Sequence, residues 1–247
     1  MDVFRLHEGE LQTAVLELEH PELRRVKLVA VCDIGRPDYF RVIKHHAGQQ
    51  TSDVWLGFEA LREVEVSAEL SHGLSKRVET MRNHLIGRNK LANAVGLMTL
   101  RQRLLDLDGV NLGLPLNVFV QHMTKQHYSG VKRFTTIAKL VVKATDSQRA
   151  RKAEKARATC RKLIRKSLSG QLRNVNDPRK LARMNQEDAR QNDVTFSLAY
   201  NQLNQGKRVH LVLPSAHAHD IATRLIGDGY QLANQQWVDC LNLDHLG

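Results

Sequence analysis

No stretch of this 247-residue chain approaches the roughly 20 consecutive apolar residues that a bilayer-spanning helix requires. The opening Met1-Asp2-Val3-Phe4-Arg5 lacks the ordered charged, apolar and small-residue regions of a secretory signal. A cytoplasmic, nucleoid-associated protein with no membrane partner is therefore expected. Cysteine is scarce: Cys32, Cys160 and Cys240 are odd in number and far apart. They form no CxxC or Cys/His ligand spacing, which excludes a disulfide framework and a zinc motif and leaves buried reduced thiols. Aromatic residues make up 5% of the chain, which weighs against a nucleic-acid reader that works by stacking bases. No P-loop, dinucleotide-binding glycine motif or Ser or Cys triad signature is present. No enzyme activity, cofactor or metal is expected.

Acid is also in short supply. The 37 Lys and Arg exceed the 26 Asp and Glu by 11, and the pI of about 9.8 favours an anionic partner such as nucleic acid or an acidic membrane surface. The 42% hydrophobic content is ordinary for a chain that buries a real core. Periodicity suggests an α+β, predominantly helical fold. Thr13 to His20 and the apolar run Val26 to Ile34 suit strand or helix equally. From Ser52, a plausible N-cap, Val54, Phe58, Leu61, Leu74, Val78, Met81 and Leu85 recur at helical steps toward Gly87, a plausible stop. Leu91, Ala94, Val95, Met98 and Leu105 repeat the pattern over Asn89 to Asp106, as do Val131, Phe134, Ala138 and Val141. Val194 to Gln205 suits either structure.

Two segments carry the functional signal. Arg149 to Lys166 holds nine Lys and Arg against the single Glu154, with Ala153, Ala156, Cys160, Leu163 and Ser167 on one stripe. This is a basic amphipathic helix. Its cations, including Arg149, Arg151, Lys152, Lys155, Arg161 and Lys162, form either a DNA-backbone contact or a merely solvated face. Further on, Arg208 to Leu213 alternates strictly. Val209, Leu211 and Leu213 point one way, Arg208, His210 and Val212 the other, and Pro214 stops the strand. Ser215 can cap a helix through Ala218, Ile221, Ala222 and Leu225, and a second helix is expected from about Ala233 through Trp237, Val238 and Leu241. A lone strand needs a partner. Pairing with the same strand of a second copy would build a homodimeric ribbon that fits the major groove.

The run KRVHLVLPSAHAHDIATRLIGDGYQLANQQWVDCL resembles the ribbon-helix-helix family. The resemblance implies that Arg208, His210 and Val212 read bases and that Val209, Leu211 and Leu213 form the dimer core. Lys207 and the amides of Leu232, Ala233 and Asn234 would then grip the backbone. Upstream, IGRPDYFRVIKHHAGQQTSDVWLGFEALREVEVSAEL and HYSGVKRF resemble a family of proteins encoded on integrating conjugative elements and conjugative plasmids. That likeness implies an activator of transfer genes acting on promoter DNA, with RNA polymerase as a possible further partner. Three regions are expected: residues 1–128, mostly helical; 129–205, basic and helical; and 206–247, the ribbon module. This last segment has three basic residues against four acidic ones, so the basic helix would have to supply the hold on DNA. The rival readings are a metal-dependent HUH nuclease using His217 and His219 with Tyr200 or Tyr230, and an RNA-binding protein. Helical spacing should turn the two histidines apart.

Overall fold

The computed structural model describes residues 2–62, 71–100, 107–123, 125–147, 149–175, 177–181 and 189–246. It has a mixed α/β fold, 55% helical, so helix predominates as the periodicity suggests. The organising element is nevertheless a seven-stranded mixed sheet. Strands β1 (Phe4–His7), β2 (Glu10–Glu19) and β3 (Val26–Val31) form an antiparallel meander. The short β4 (Ile34–Gly35) leads into α1 (Pro37–Ala47), which returns the chain to β5 (Val54–Phe58). A long helical excursion follows, made of α2 (His72–Asn93), α3 (Leu116–His122), α4 (Lys125–Thr145), α5 (Ala150–Val175) and α6 (Ala189–Asn204). Two short strands, β6 (Met98–Thr99) and β7 (Val110–Asn111), interrupt it. The chain re-enters the sheet as β8 (Arg208–Pro214), crosses in α7 (Ser215–Gly227) and ends with β9 (Gln231–Asn242) and a 3-10 turn.

Strand β8 lies between β3 and β5, parallel to both, and β5 is parallel to β7. Strand β9 pairs antiparallel with β2 along its whole length. This placement explains why the apolar runs gave no clear period. Strands β3 and β5 are covered on both faces, so their side chains are apolar at nearly every position rather than at alternate ones, and β2 is buried from Leu11 to Leu16 with Gln12 and Thr13 among the buried residues. On β8, His210 faces α1, where its Nδ1–H donates to the Ala47 carbonyl at 2.8 Å. The opposite face, with Val209, Leu211 and Leu213, is fully buried on the side packed by α6 and α7.

Val54 to Phe58 is a central strand rather than the start of a helix, since VWLGF is apolar throughout and buried at every residue. Helix α2 runs through Gly87 without stopping; a Cβ there would meet only Ala138, at 3.4 Å. The Asn89 helix ends at Asn93, Met98–Thr99 pairs with β4, and residues 101–106 lie outside the described residues. Ser215 does not cap its helix: its Oγ donates to the Val31 carbonyl, at 2.9 Å. The expected second helix is strand β9. Ala233, Trp237, Val238 and Leu241 have helical spacing, but buried Val238 and Cys240 flank exposed Asp239, and the open edge of β2 needs a partner for its backbone groups.

The ribbon-helix-helix is therefore not formed by these residues. Both edges of β8 are already bonded within the chain, leaving none for a second copy. Residues 208–242 are woven into the same sheet and the same core as residues 3–58, so they do not form a separate module.

Candidate functional site

The connections leaving the two neighbouring parallel strands diverge. Strand β3 leads to α1 on one face of the sheet, and β8 leads to α7 on the other. Such a divergence opens a crevice at the carboxyl ends of the strands, the usual ligand position in open α/β sheets. A cavity of about 510 Å³ occupies that place. Its lining includes a polar residue from the segment just after each strand: Asp33 after β3, Glu59 after β5 and His217 after β8. Helices α2, α4 and α5 contribute to its walls.

The polar groups here are arranged in pairs. His217 Nδ1 lies 2.9 Å from Glu59 Oε2, and both side chains are largely buried. Asp33 Oδ2 accepts from the Arg88 guanidinium at 3.2 Å and from the Gln171 amide at 3.0 Å. The Thr99 hydroxyl donates to Asn89 Oδ1 at 2.5 Å. Asn111 Oδ1 accepts from the amides of Ala60 and Gly113, clamping the end of β5 to the loop after β7. Gly113 is required there, because a Cβ would stand 1.9 Å from the Ala60 carbonyl oxygen. Among the described residues, no group of three or more His, Cys, Asp or Glu could hold a metal.

Helices α4 and α5 form the second feature. On α5, Ala153, Ala156, Cys160, Ile164 and Leu168 are buried, while Leu163 and Ser167 of the anticipated stripe are half-buried. The cations divide into two groups. Arg157 and Arg161 pair with Glu154, and Arg165 with Asp244. Arg151, Lys152, Lys155, Lys162 and Lys166 are exposed and fall within about 100° of the helix circumference, at about 100° per residue. On α4, exposed Lys132, Lys139 and Lys143 share another stripe. Residues 125–175 hold 15 of the 37 Lys and Arg but only 2 of the 26 Asp and Glu. The remainder of the chain is thus slightly acidic.

The residues anticipated from the ribbon are elsewhere and do not converge. Arg208 sits at the amino end of β8, opposite the crevice, and pairs with Asp53 at 2.5 Å. The Thr51 hydroxyl and Arg208 together hold the Asp53 carboxyl below its ordinary value. His210 is half-buried, with its pKa lowered chiefly by burial. Val212 is fully buried and cannot meet a base. Val209, Leu211 and Leu213 belong to the intrachain core rather than a dimer core. Leu232, Ala233 and Asn234 are exposed residues of β9, not a helix N-terminus, and Lys207 precedes β8. His217 and His219 do diverge on α7: His217 enters the crevice and His219 does not. Tyr230 has its hydroxyl pushed up to about 12 by burial, with Tyr200 and Asp228 adding to the shift, which disfavours the phenolate a nucleophile needs.

Sequence reasoning missed Asp33, Glu59, Arg88, Gln171 and Gln191. The available signal was an acid directly following a fully apolar run, in VAVCD and VWLGFE. It is legible only once those runs are known to be parallel strands.

The class defined by these features is a mixed α/β protein with a crevice at its strand ends and a basic pair of helices inserted before its last parallel strand. The chain matches none of the protein-family models, curated proteins or solved structures with which it was compared.

Proposed function

We propose that the chain binds duplex DNA through α4 and α5, as a regulator of transcription on a conjugative element. The single observation that carries DNA binding is the segregation of charge: one helical pair holds the whole positive excess of an otherwise slightly acidic molecule. A lysine stripe on α5, clear of the ion-paired arginines, supplies what phosphate contact requires. The regulatory role, and activation of transfer genes in particular, rests on the family resemblance of residues 34–70 and 127–134. Base reading by β8 loses its support, because Val212 is buried and Arg208 is engaged by Asp53. The dimer loses its proposed ribbon with it.

The test is fluorescence anisotropy of a labelled duplex across a salt series. Lys152→Ala, Lys155→Ala, Lys162→Ala and Lys166→Ala combined should weaken binding to all sequences alike. They should also reduce the slope of log K against log salt by about 3 to 4, roughly one for each phosphate no longer neutralised. Arg208→Ala removes an exposed charge on β8, outside both helices, and should leave the slope unchanged. An unaltered slope in the quadruple variant would overturn the assignment, and stronger binding to structured RNA than to duplex would transfer it to RNA.

A further inference from the structure

We propose that the crevice at the carboxyl ends of β3, β8 and β5 binds a nucleobase. Its volume of about 510 Å³ lies within the range of small-molecule sites, about 300–1,000 Å³. Leu61, Met81, Leu85, Phe119 and Val131 give it apolar walls against which a ring can lie. Its polar lining is dominated by carboxamides and carboxylates rather than cations. Among the described lining residues the sole Lys or Arg is Arg88, already paired with Asp33. These described residues suit a neutral, hydrogen-bonding group better than a phosphate.

The hydrogen-bond inventory indicates which edge such a group must present. Asn89 Oδ1 is taken by Thr99, which leaves its NH₂ as a donor. Gln171 and Gln191 already use their NH₂ groups, on Asp33 and on the Leu112 carbonyl with Thr195, which leaves their carbonyl oxygens as acceptors. Gln191 is only 3% exposed, and its Oε1 is buried with no hydrogen-bond partner among the described residues. A buried unpaired acceptor is costly unless a ligand supplies the donor. Glu59 adds acceptor capacity beyond its contact with His217. The Asn89 donor and the Gln171, Gln191 and Glu59 acceptors all line one crevice with apolar walls, a lining that suits the mixed donor and acceptor edge of a nucleobase, each group making a single contact.

The base could arrive on a free nucleoside or as a nucleotide turned out of a strand. The basic helices themselves reach the crevice, through Val131 of α4 and Gln171 and Asn174 of α5. Nucleoside binding does not depend on DNA binding by the lysine stripe, so the two proposals fail separately.

Calorimetric titration of the full chain with adenosine, guanosine, cytidine and uridine, with ribose as control, tests the first source. Duplex and single strands carrying 2-aminopurine test the second by fluorescence. Saturable binding of at least one nucleoside but not ribose is expected. Gln191→Met or Asn174→Ala should weaken it on the order of tenfold, the loss typical of one buried hydrogen bond, with circular dichroism confirming that each variant is folded. A nucleoside-competed rise in 2-aminopurine fluorescence assigns the extruded base as the source. A fluorescence rise without free-nucleoside binding does the same if both variants abolish it. Nucleoside binding without a fluorescence response assigns the free molecule. Absence of both signals, signals insensitive to both substitutions, or equal binding of ribose would overturn the proposal.

Discussion

His210 is held in the sheet by two opposing influences. Burial penalises its charged form, and Lys27 and Arg208 repel a second positive charge; against them, the hydrogen bond to Ala47 and the carboxylate of Glu17 favour that charge. Burial is the largest of these, so the folded-state pKa lies below the ordinary 6.5. His46 on α1 and His219 on α7 are shifted the same way, also chiefly by burial. A depressed histidine pKa means that the unfolded chain binds protons first as pH falls. The stability is fully present above the unfolded value and is lost as pH falls through the lower folded value. A thermal melt series from pH 7.5 to 5 should therefore show Tm falling below about pH 6.5. His210→Asn, which retains a donor for the Ala47 carbonyl, should show a smaller fall; an identical pH profile would show that His210 does not carry this linkage. At the crevice rim, Gly113→Ala would force a Cβ against the Ala60 carbonyl. It should cost about 1–3 kcal/mol, the usual range for overpacking, measured by urea denaturation.

At the scale of elements, legibility followed chemistry that is local. The α5 helix could be read because its buried stripe and its cations both follow the helical period, and Ala153, Ala156 and Cys160 are buried as anticipated. Strand β8, from Arg208 to its stop at Pro214, and the α7 helix that follows it are likewise legible in the sequence. Their neighbours could not be read. Alternation over six residues identifies a strand, but the partners of β8 are β3 and β5, whose nearest residues lie some 150 positions away. The buried face looked like a dimer core because an apolar face is the same whether another chain or a distant part of the same chain covers it. Val212 was the one discordant residue. An apolar side chain among supposed polar readers is what a strand buried on both faces produces. Strand β9 is not legible, because Ala233, Trp237, Val238 and Leu241 coincide with a helical stripe and the pairing edge of β2 decides otherwise. The crevice was illegible for the same reason: Asp33, Glu59 and His217 converge only through the order of the sheet.

For the whole molecule, the decisive contrast is between a sheet completed within one chain and a module completed by two. A ribbon-helix-helix segment folds as an obligate dimer without the rest of its protein. Here residues 206–247 contribute β8, flanked on both sides by other parts of the chain, and β9, whose inner edge is satisfied by β2. Removed from residues 1–205, β8 loses every strand partner it has, while Leu211 and Val212, both fully buried, are exposed to water. A single α7 helix of 13 residues is too short to persist alone in water. The fragment 206–247 should therefore be unfolded in isolation: low far-UV ellipticity, collapsed amide dispersion in NMR and no concentration-dependent gain of structure. A dimerising ribbon would instead show cooperative melting whose midpoint rises with concentration. That result would return β8 to an intermolecular role and reopen Arg208 and His210 as base readers, whereas an unfolded fragment leaves sequence recognition to surfaces assembled by the complete sheet and its helices.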